Sequence, residues 1–242
     1  MRIEKLLERV EYKRADSPEE KQAIFRMRYE AYTRGGYIEP NPRGLFTDPD
    51  DERRNAWLIG VFIDGELASS IRLHISSQPE HFLPVAKGFP DIIGPRLAAG
   101  DLIIDASRQT SRLEFTRPYP FLPYITMSTV FIAEDHFKGD YITAACRPEY
   151  QGAFRRLCGF VNWAAPRPYP PLTSLQALMG YECKSKGVAT RKRYPFVVST
   201  PALQRALFSR GSNIAYDPYA ELTAGQRARR ADNTQHSTTC AA

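Results

Sequence analysis

The sequence has few of the residues that bind metals or cross-link a chain. Its four cysteines are spread widely, at Cys146, Cys158, Cys183 and Cys240, and no pair forms a Cys-x-x-Cys motif. No pair of histidines stands near them, so we expect no bound metal. Four cysteines are enough for two disulfides, but reduced thiols in a cytosol fit this spacing better.

Long apolar stretches are also missing. No apolar run approaches the roughly 20 residues that a transmembrane helix needs, and residues 1–9 lack the apolar centre of a signal peptide. We therefore expect a cytoplasmic protein for which any membrane contact is peripheral. Nor does the chain contain an internal repeat.

The composition that remains favours a folded domain with acidic partners. The 242 residues are 43% hydrophobic, which is enough for one substantial core, and we expect a single domain over residues 1–222. Residues 223–242 are polar, small or basic and are typical of a disordered tail. The net charge of +6 favours nucleic acid, an anionic membrane or an acidic carrier protein without choosing among them.

The first half of the chain contains the clearest local signals. Ser17, Pro18 and Glu20 form a capping pattern that predicts a helix from there to about Thr33. Residues 37–55 are rich in proline and aspartate and are predicted as a loop. The dipeptide Asp64-Gly65 separates two apolar runs, residues 57–63 and 66–75, and predicts a hairpin.

The second half alternates between strand and helix patterns. Residues 76–100 are predicted as irregular, 101–110 as a strand with an unusually polar second half, 123–138 as a helix, 141–146 as a strand and 148–157 as a helix. This order predicts an α/β sheet. Prolines 166, 168, 170 and 171 are expected to break any regular element after Phe160, with a strand over 194–199 and a helix over 201–210 beyond them.

Four segments resemble a known family in their order and spacing. They are Phe25–Tyr32, the acidic loop around Asp48 and Asp51, Ser70–Leu73 and Asp105–Arg108. Together they resemble the FeeM-type N-acyl amino acid synthases and, more distantly, the LuxI-type acyl-homoserine-lactone synthases. The resemblance spans residues 20–160. It implies a GNAT-like three-layer sandwich, in which a mixed, mostly antiparallel sheet has two splayed central strands.

The resemblance also implies roles for particular residues. Asp105 and Ser107 are the expected catalytic residues, and the expected substrate-binding residues are Arg28, Tyr32, Asp48, Arg72 and Arg108. Joining an amine to a thioester independently requires a neutral amine. A carboxylate can bind the ammonium form or accept its proton, and Glu39, Asp48 and Asp105 are candidates for this role. Arginines suit a substrate carboxylate.

Structural explanations for the same residues remain open. The acidic loop could be a solvated turn, Arg72 could face solvent, and Ser107 could bond local backbone groups. Asp105 could pair with Arg108 or Arg112. Strict strand alternation would put Asp105 and Arg108 on opposite faces, and a β-bulge would bring them together.

The donor is expected to be an acyl thioester, with no permanently bound cofactor. Residues 108–125 lack the Arg/Gln-x-x-Gly-x-Gly/Ala loop that holds the pyrophosphate of coenzyme A. This favours acyl-phosphopantetheine on an acyl carrier protein over acyl-CoA. Arg155 and Arg156 could contact such a carrier or simply be solvated. Residues 115–131 could line an acyl channel or pack in the core.

The sequence therefore predicts an enzyme, an acyltransferase that joins a fatty acyl group to the amine of an amino acid by direct attack. One alternative is a lactone synthase using S-adenosylmethionine, which the absence of the tryptophan expected soon after the first helix disfavours. Another is a non-catalytic nucleic-acid-binding module, suggested by Arg227, Arg229 and Arg230. No nucleic-acid motif is present, so nucleic acid is not an expected partner.

Overall fold

A seven-stranded mixed sheet forms the centre of the protein, in the strand order β1-β2-β3-β4-β5-β7-β6. The structure is a computed structural model, and it describes residues 6–76, 81–169, 172–183 and 200–208. The strands are β1 Val10–Arg14, β2 Ala56–Ile63, β3 Glu66–Ile75, β4 Ile103–Ser111, β5 Tyr141–Cys146, β6 Val161–Tyr169 and β7 Leu172–Glu182. Strands β4 and β5 are parallel, and the other neighbouring strands are antiparallel.

Helices cover both faces of the sheet. They are α1 Pro18–Arg34, α2 Pro90–Ala98, α3 Leu113–Thr116, α4 Leu122–Phe137, α5 Gln151–Cys158 and α6 Pro201–Phe208, with short 3₁₀ turns at Pro49–Glu52, Pro84–Lys87 and Pro148–Tyr150. Helices α1 and α2 pack on one face. Ile24 of α1 belongs to the same hydrophobic cluster as Leu58 of β2, and Ile93 of α2 to the same cluster as Ile103 of β4. Helices α4 and α6 cover the other, called here the α4 face. The expected three-layer α/β sandwich is confirmed.

The strongest local predictions are confirmed. Glu20 N donates to Ser17 Oγ at 3.2 Å while Ser17 N donates to the Glu20 carboxylate at 3.0 Å, which completes the capping box of α1. Asp64 and Gly65 both have positive φ, 51° and 83°, as the tight turn between β2 and β3 requires. The strands and helices expected between residues 101 and 157 also form.

Two predictions were wrong, and both concern segments that contain proline. Residues 90–98 are helix α2, with Pro90 in its first turn and Pro95 inside it, because burial of Ile93 stabilises the helix. Strand β6 contains Pro166 and Pro168. Among the described strands it lies at the edge of the sheet and pairs with β7, through three register shifts, and an edge strand tolerates proline.

Other expectations fall near the end of the chain. The helix expected over 201–210 is present as α6, Pro201–Phe208. The predicted strand over 194–199 and the tail over 223–242 lie outside the described residues, as do Arg227, Arg229 and Arg230. In the part of the chain that the structure describes, no helix is both long and apolar enough to cross a membrane.

The two central strands separate part way along their length. Strands β4 and β5 pair over Ile103–Ala106 and Tyr141–Ala144. Beyond that point β4 remains paired with β3 as far as Ser111, and β5 remains paired with β7 as far as Cys146. The sheet therefore contains the expected splayed pair of central strands.

A β-bulge lies in β4 where the separation begins. Arg72 pairs with Ser107 but Ser70 pairs with Thr110, so β4 has one more residue than β3 over this stretch. Arg108 has a φ of 54°, in the left-handed region that a non-glycine residue rarely adopts. The bulge turns Arg108 towards the acidic loop, where its guanidinium donates to Asp48.

Candidate active site

A cavity of about 450 Å³ occupies the gap between β4 and β5. On the face covered by α1 and the acidic loop, called here the acidic-loop face, its lining is polar and includes Tyr32, Asp50, Arg72, Ser107, Arg108 and Tyr169. On the α4 face its lining is mostly apolar and includes Ile71, Ala106, Met127, Ala144, Cys146, Phe154 and Cys158, together with the polar Gln109 and Tyr124. The cavity thus joins a polar compartment to an apolar one through the split in the sheet.

A chain of alternating charges forms the base of the polar compartment. Arg28 Nη1 donates to Asp51 Oδ1 at 2.7 Å, and Arg72 Nη1 donates to Asp51 Oδ1 at 3.0 Å and to Asp48 Oδ1 at 2.7 Å. Arg108 Nη2 completes the chain on Asp48 Oδ2 at 2.6 Å. These five residues connect α1, the acidic loop, β3 and β4, and they hold Arg72 and Arg108 at the cavity wall.

Burial makes this network depend on its own internal pairing. The side chains of Arg28 and Asp51 are fully buried. Burial opposes the charges of Asp48 and Asp51, but the neighbouring arginines outweigh it and hold the pKa of both carboxyls below the usual range. Burial lowers the pKa of Arg28. The carboxylates of the network are therefore ionised. Because these charges are paired with one another, the network is suited to holding the site in shape.

The acidic loop has its shape because its aspartates cap their own backbone. Asp50 N donates to Asp48 Oδ1 at 3.0 Å, and Asp48 N donates to Asp51 Oδ2 at 2.9 Å, with Pro49 in the first position of the 3₁₀ turn. The alternative of a solvated turn is wrong, because Asp50 and Asp51 are buried. The solvent-facing alternative for Arg72 is wrong as well, since this residue is 1% exposed.

Asp105 is buried beside the cavity rather than in its wall. Its Oδ2 accepts from Val85 N at 3.1 Å and its Oδ1 accepts from Thr143 Oγ1 at 3.0 Å. Burial raises the pKa of Asp105 to about 7. Among the described residues it forms no ion pair with Arg108 or Arg112, so that explanation is wrong. The next two residues of β4 do line the cavity.

Ser107 faces the cavity and bonds the charge network. Its Oγ accepts from Arg72 Nε at 3.1 Å. Because a guanidinium can only donate, the hydroxyl proton of Ser107 remains available to a second acceptor. The partner of this serine is thus a side chain, whereas sequence alone left a local backbone group open.

The other expected residues lie in different places. Tyr32 is in the cavity wall, with its ring against Tyr37 and Phe46. Arg28, Asp48 and the exposed Glu39 are outside the lining, as are the exposed Arg155 and Arg156 of α5. From the stretch 115–131, the residues in the lining are Pro123, Tyr124 and Met127. Others, such as Leu122 and Val130, pack in the core.

Sequence reasoning missed Asp50 as a cavity residue. Its carboxylate accepts from Lys87 Nζ at 2.7 Å, and its carbonyl oxygen bonds His74 Nε2 at 2.9 Å. Burial lowers the pKa of His74 to about 3, so the ring is neutral and donates through Nε2. Asp48, Asp50 and Asp51 lie within four positions of the sequence. Which of them faces the cavity depends on the geometry of the 3₁₀ turn.

Sequence reasoning also missed Tyr169 and a group at the cavity mouth, Tyr37, Arg147 and Tyr150. Tyr169 ends β6, a strand that the prolines concealed. A Cβ atom on Gly88 would lie 2.7 Å from the ring of Tyr169, so this ring can pack here because residue 88 has no side chain. The Arg147–Pro148 pair directly after β5 was a usable signal, because residues at the carboxyl ends of parallel strands often face a ligand.

A split pair of parallel central strands at the centre of a mixed sheet with helices on both faces defines a GNAT-like fold. Solved structures agree with this fold. FeeM, an N-acyl amino acid synthase from uncultured soil microbes, is 17% identical over 72% of this chain and 91% of its own, with a TM-score of 0.60.

Two further structures share the architecture. The acyl-homoserine-lactone synthase LasI is 11% identical over 82% of this chain and 93% of its own, with a TM-score of 0.53. ElaA from Escherichia coli is 12% identical over 72% of this chain and 99% of its own, with a TM-score of 0.51. No curated protein sequence matches the chain.

The sequence of residues 23–182 matches the family described as N-acyl amino acid synthase FeeM. The chain belongs to this family and is an acyltransferase.

Proposed function

We propose that the protein transfers a long-chain fatty acyl group from an acyl carrier protein thioester to the amine of an amino acid. The observation that carries the proposal is the two-sided cavity, polar on the acidic-loop face and apolar on the α4 face. An amino acid suits the first compartment and a fatty acyl chain suits the second. Membership of the FeeM family supports the same reaction.

The acyl chain is assigned to the space between β5, α4 and α5. Met127, Cys146, Phe154 and Cys158 line it from these three elements. Burial raises the pKa of both cysteine thiols to about 12, so they are neutral and behave as apolar groups. A saturated chain bound there leaves water and gains about 0.8 kcal/mol for each buried methylene.

The thioester carbonyl is assigned to the point where the strands separate. Asp140 N donates to Leu102 O on the β5 side of β4, and Ser76 N donates to Ile103 O on the β3 side. Pairing between β4 and β5 ends at Ala106, and the β-bulge at Arg108 interrupts the regular strand directly after it. We assign the backbone amide of Arg108 to the oxyanion of the tetrahedral intermediate.

Proton transfer is assigned to Asp105 and Ser107. A carboxyl with a pKa of about 7 can accept a proton at neutral pH, and Asp105 would take it from the attacking amine through a water molecule. The Ser107 hydroxyl has its proton available, and it would orient the thioester or donate to the leaving thiolate. Tyr32, Arg72 and Arg108 shape the acceptor compartment, while Arg28 and Asp48 hold that shape.

An acidic carrier protein is assigned to the surface of α5. Arg155 and Arg156 are exposed there, in the same short helix as the cavity residues Ala153 and Phe154. Basic residues beside a cavity entrance suit an acidic carrier. A cytoplasmic location, where such carriers are present, and a single domain over residues 1–222 complete the proposal.

The test is a reaction of purified protein with a long-chain acyl carrier protein and a mixture of the common amino acids, followed by mass spectrometry. N-acyl amino acids are the expected product. Parallel reactions supply acyl-CoA as the donor or S-adenosylmethionine as the acceptor. A lactone and methylthioadenosine in the last reaction, with no acylated amino acid elsewhere, would contradict the proposal.

Ser107→Ala tests the assigned site in the same assay. We expect kcat to fall by about tenfold to a thousandfold, because one positioned donor is lost from the transition state. Ser128→Ala is the matched control, since Ser128 is buried outside the cavity and donates to Tyr124 O of its own helix at 3.1 Å. Equal activity in the two variants would remove Ser107 from the mechanism.

A further inference from the structure

Three residues form a compact polar cluster at the mouth of the cavity. Tyr37 follows α1, whereas Arg147 and Tyr150 follow β5, and all three line the cavity. The Arg147 guanidinium lies 4.6 Å from the centre of the Tyr37 ring and 4.7 Å from that of Tyr150. It donates to the hydroxyl of Tyr37 and, at 2.5 Å, to that of Tyr150. We call these three residues the mouth cluster.

The cluster contains the cavity-lining arginine that the charge network does not neutralise. Arg72 and Arg108 also line the cavity, but both are paired with buried carboxylates of the acidic loop. The carboxylate partner of Arg147 is Glu149, at 3.0 Å, which is 55% exposed and outside the lining. An exposed pair of this kind is weak, so an incoming anion can compete with Glu149.

The hydrogen-bond directions prepare the cluster for an anion. A guanidinium has donors only, so both phenol oxygens accept from Arg147 and keep their own protons. Two O–H groups and one positive charge therefore meet at one place in the cavity wall. Anionic oxygen atoms are the ligands that such a set of donors recognises.

The position of Tyr37 is fixed by its neighbours. A Cβ atom on Gly35 would lie 2.3 Å from Cε2 of the Tyr37 ring, so the ring occupies space that a side chain at Gly35 would fill. Tyr37 N donates to Tyr32 O at 2.9 Å, and the rings of these two tyrosines meet edge to face. The cluster thus continues the acceptor compartment on the acidic-loop face.

We propose that the mouth cluster binds an oxyanion group of a substrate, either the carboxylate of the amino-acid acceptor or the phosphate of the donor's phosphopantetheine. The inference rests on the proposed function for the identity of the substrates. Contact of Tyr37, a member of the cluster, with Tyr32 on the polar side of the cavity favours the acceptor carboxylate. It gives the amino acid the cationic partner that Arg28 and Arg72, held by their own aspartates, do not supply.

Calorimetric binding of paired ligands tests the proposal without requiring turnover. One pair is an N-dodecanoyl amino acid and its amide, which differ in the carboxylate. The other is S-dodecyl phosphopantetheine and S-dodecyl pantetheine, which differ in the phosphate. The proteins are the wild type, Arg147→Gln, Tyr150→Phe and the control Arg167→Gln. Arg167 pairs with Asp91 at 2.6 Å and contacts the Phe89 ring, but it lies outside the cavity.

We expect the wild type to bind the charged ligand of one pair more tightly than the uncharged ligand of that pair. Arg147→Gln should weaken the affinity for that charged ligand alone by about tenfold to a hundredfold. Tyr150→Phe, which keeps the ring, should weaken it by a smaller factor. The pair that responds shows whether the acceptor or the donor carries the anion. Charged and uncharged twins that bind equally, or that weaken equally in Arg147→Gln, would overturn the proposal. Since no reaction is needed, a protein that makes no product can still pass this test.

Discussion

Replacing Asp105 with asparagine should remove a large pH dependence from the stability of the protein. Asp105 is 1% exposed, and its carboxylate accepts from Val85 N and Thr143 Oγ1. Asparagine has nearly the same shape as a protonated aspartate, and its carbonyl oxygen can still accept one of these bonds. The variant therefore differs from the wild type mainly in being unable to ionise.

The expected size follows from the pKa of the buried carboxyl. Burial raises the pKa of Asp105 from the ordinary 3.8 to about 7 in the folded protein. Well below pH 3.8 the carboxyl is protonated in both states, so it adds no pH dependence there. Between pH 4 and pH 7 the unfolded chain ionises first, and the folded state loses stability relative to it. At about 1.4 kcal/mol for each pH unit, the loss is about 4 kcal/mol by pH 8.

Urea unfolding of both proteins between pH 4 and pH 8 measures this difference. The free energy of unfolding of Asp105→Asn minus that of the wild type should rise by about 4 kcal/mol over the range, because all other titrating groups cancel. A difference that stays constant with pH would refute the raised pKa. It would also remove the physical basis for Asp105 as a base near neutral pH.

Two further predictions concern the charge network and the acyl compartment. Arg72→Met should lower the free energy of unfolding by about 3–5 kcal/mol, because the carboxylates of Asp48 and the buried Asp51 lose a partner. In urea unfolding, the control Arg167→Met, which breaks an exposed pair, should lose much less. Equal losses would contradict the buried network. Ala153→Trp, on the cavity side of α5, should shorten the longest acyl chain that is transferred. Mass spectrometry of the products formed from a mixture of acyl donors measures the transferred chain lengths. Ala202→Trp, on the exposed side of α6, is the control. An unchanged chain-length distribution in Ala153→Trp would place the acyl chain elsewhere.

The parts of the fold that were predictable are those that short-range chemistry decides. The Ser17–Glu20 capping pattern and the Asp64-Gly65 turn are complete within a few residues. The second half of β4 is unusually polar for a buried strand, and it contains Ser107 and Arg108, the residues to which the family resemblance gave roles in the site. A site on a central strand can therefore be recognised by polar residues that the fold alone does not need.

The unpredictable parts depend on contacts between distant residues. Helix α2 forms despite Pro95 because burial of Ile93 against the sheet outweighs the lost hydrogen bond. Strand β1, five residues long, exists through its pairing with β2. The mouth cluster joins Tyr37 to Arg147, 110 positions apart in sequence, and no local pattern indicates that contact.

The most direct test of the acyltransferase account is production of the protein in a bacterium fed isotope-labelled amino acids, followed by mass spectrometry of the lipid extract. The account predicts long-chain N-acyl amino acids that contain the labelled nitrogen and are absent from cells with an empty vector. Folded protein in the cells without any labelled acylated amine would contradict it.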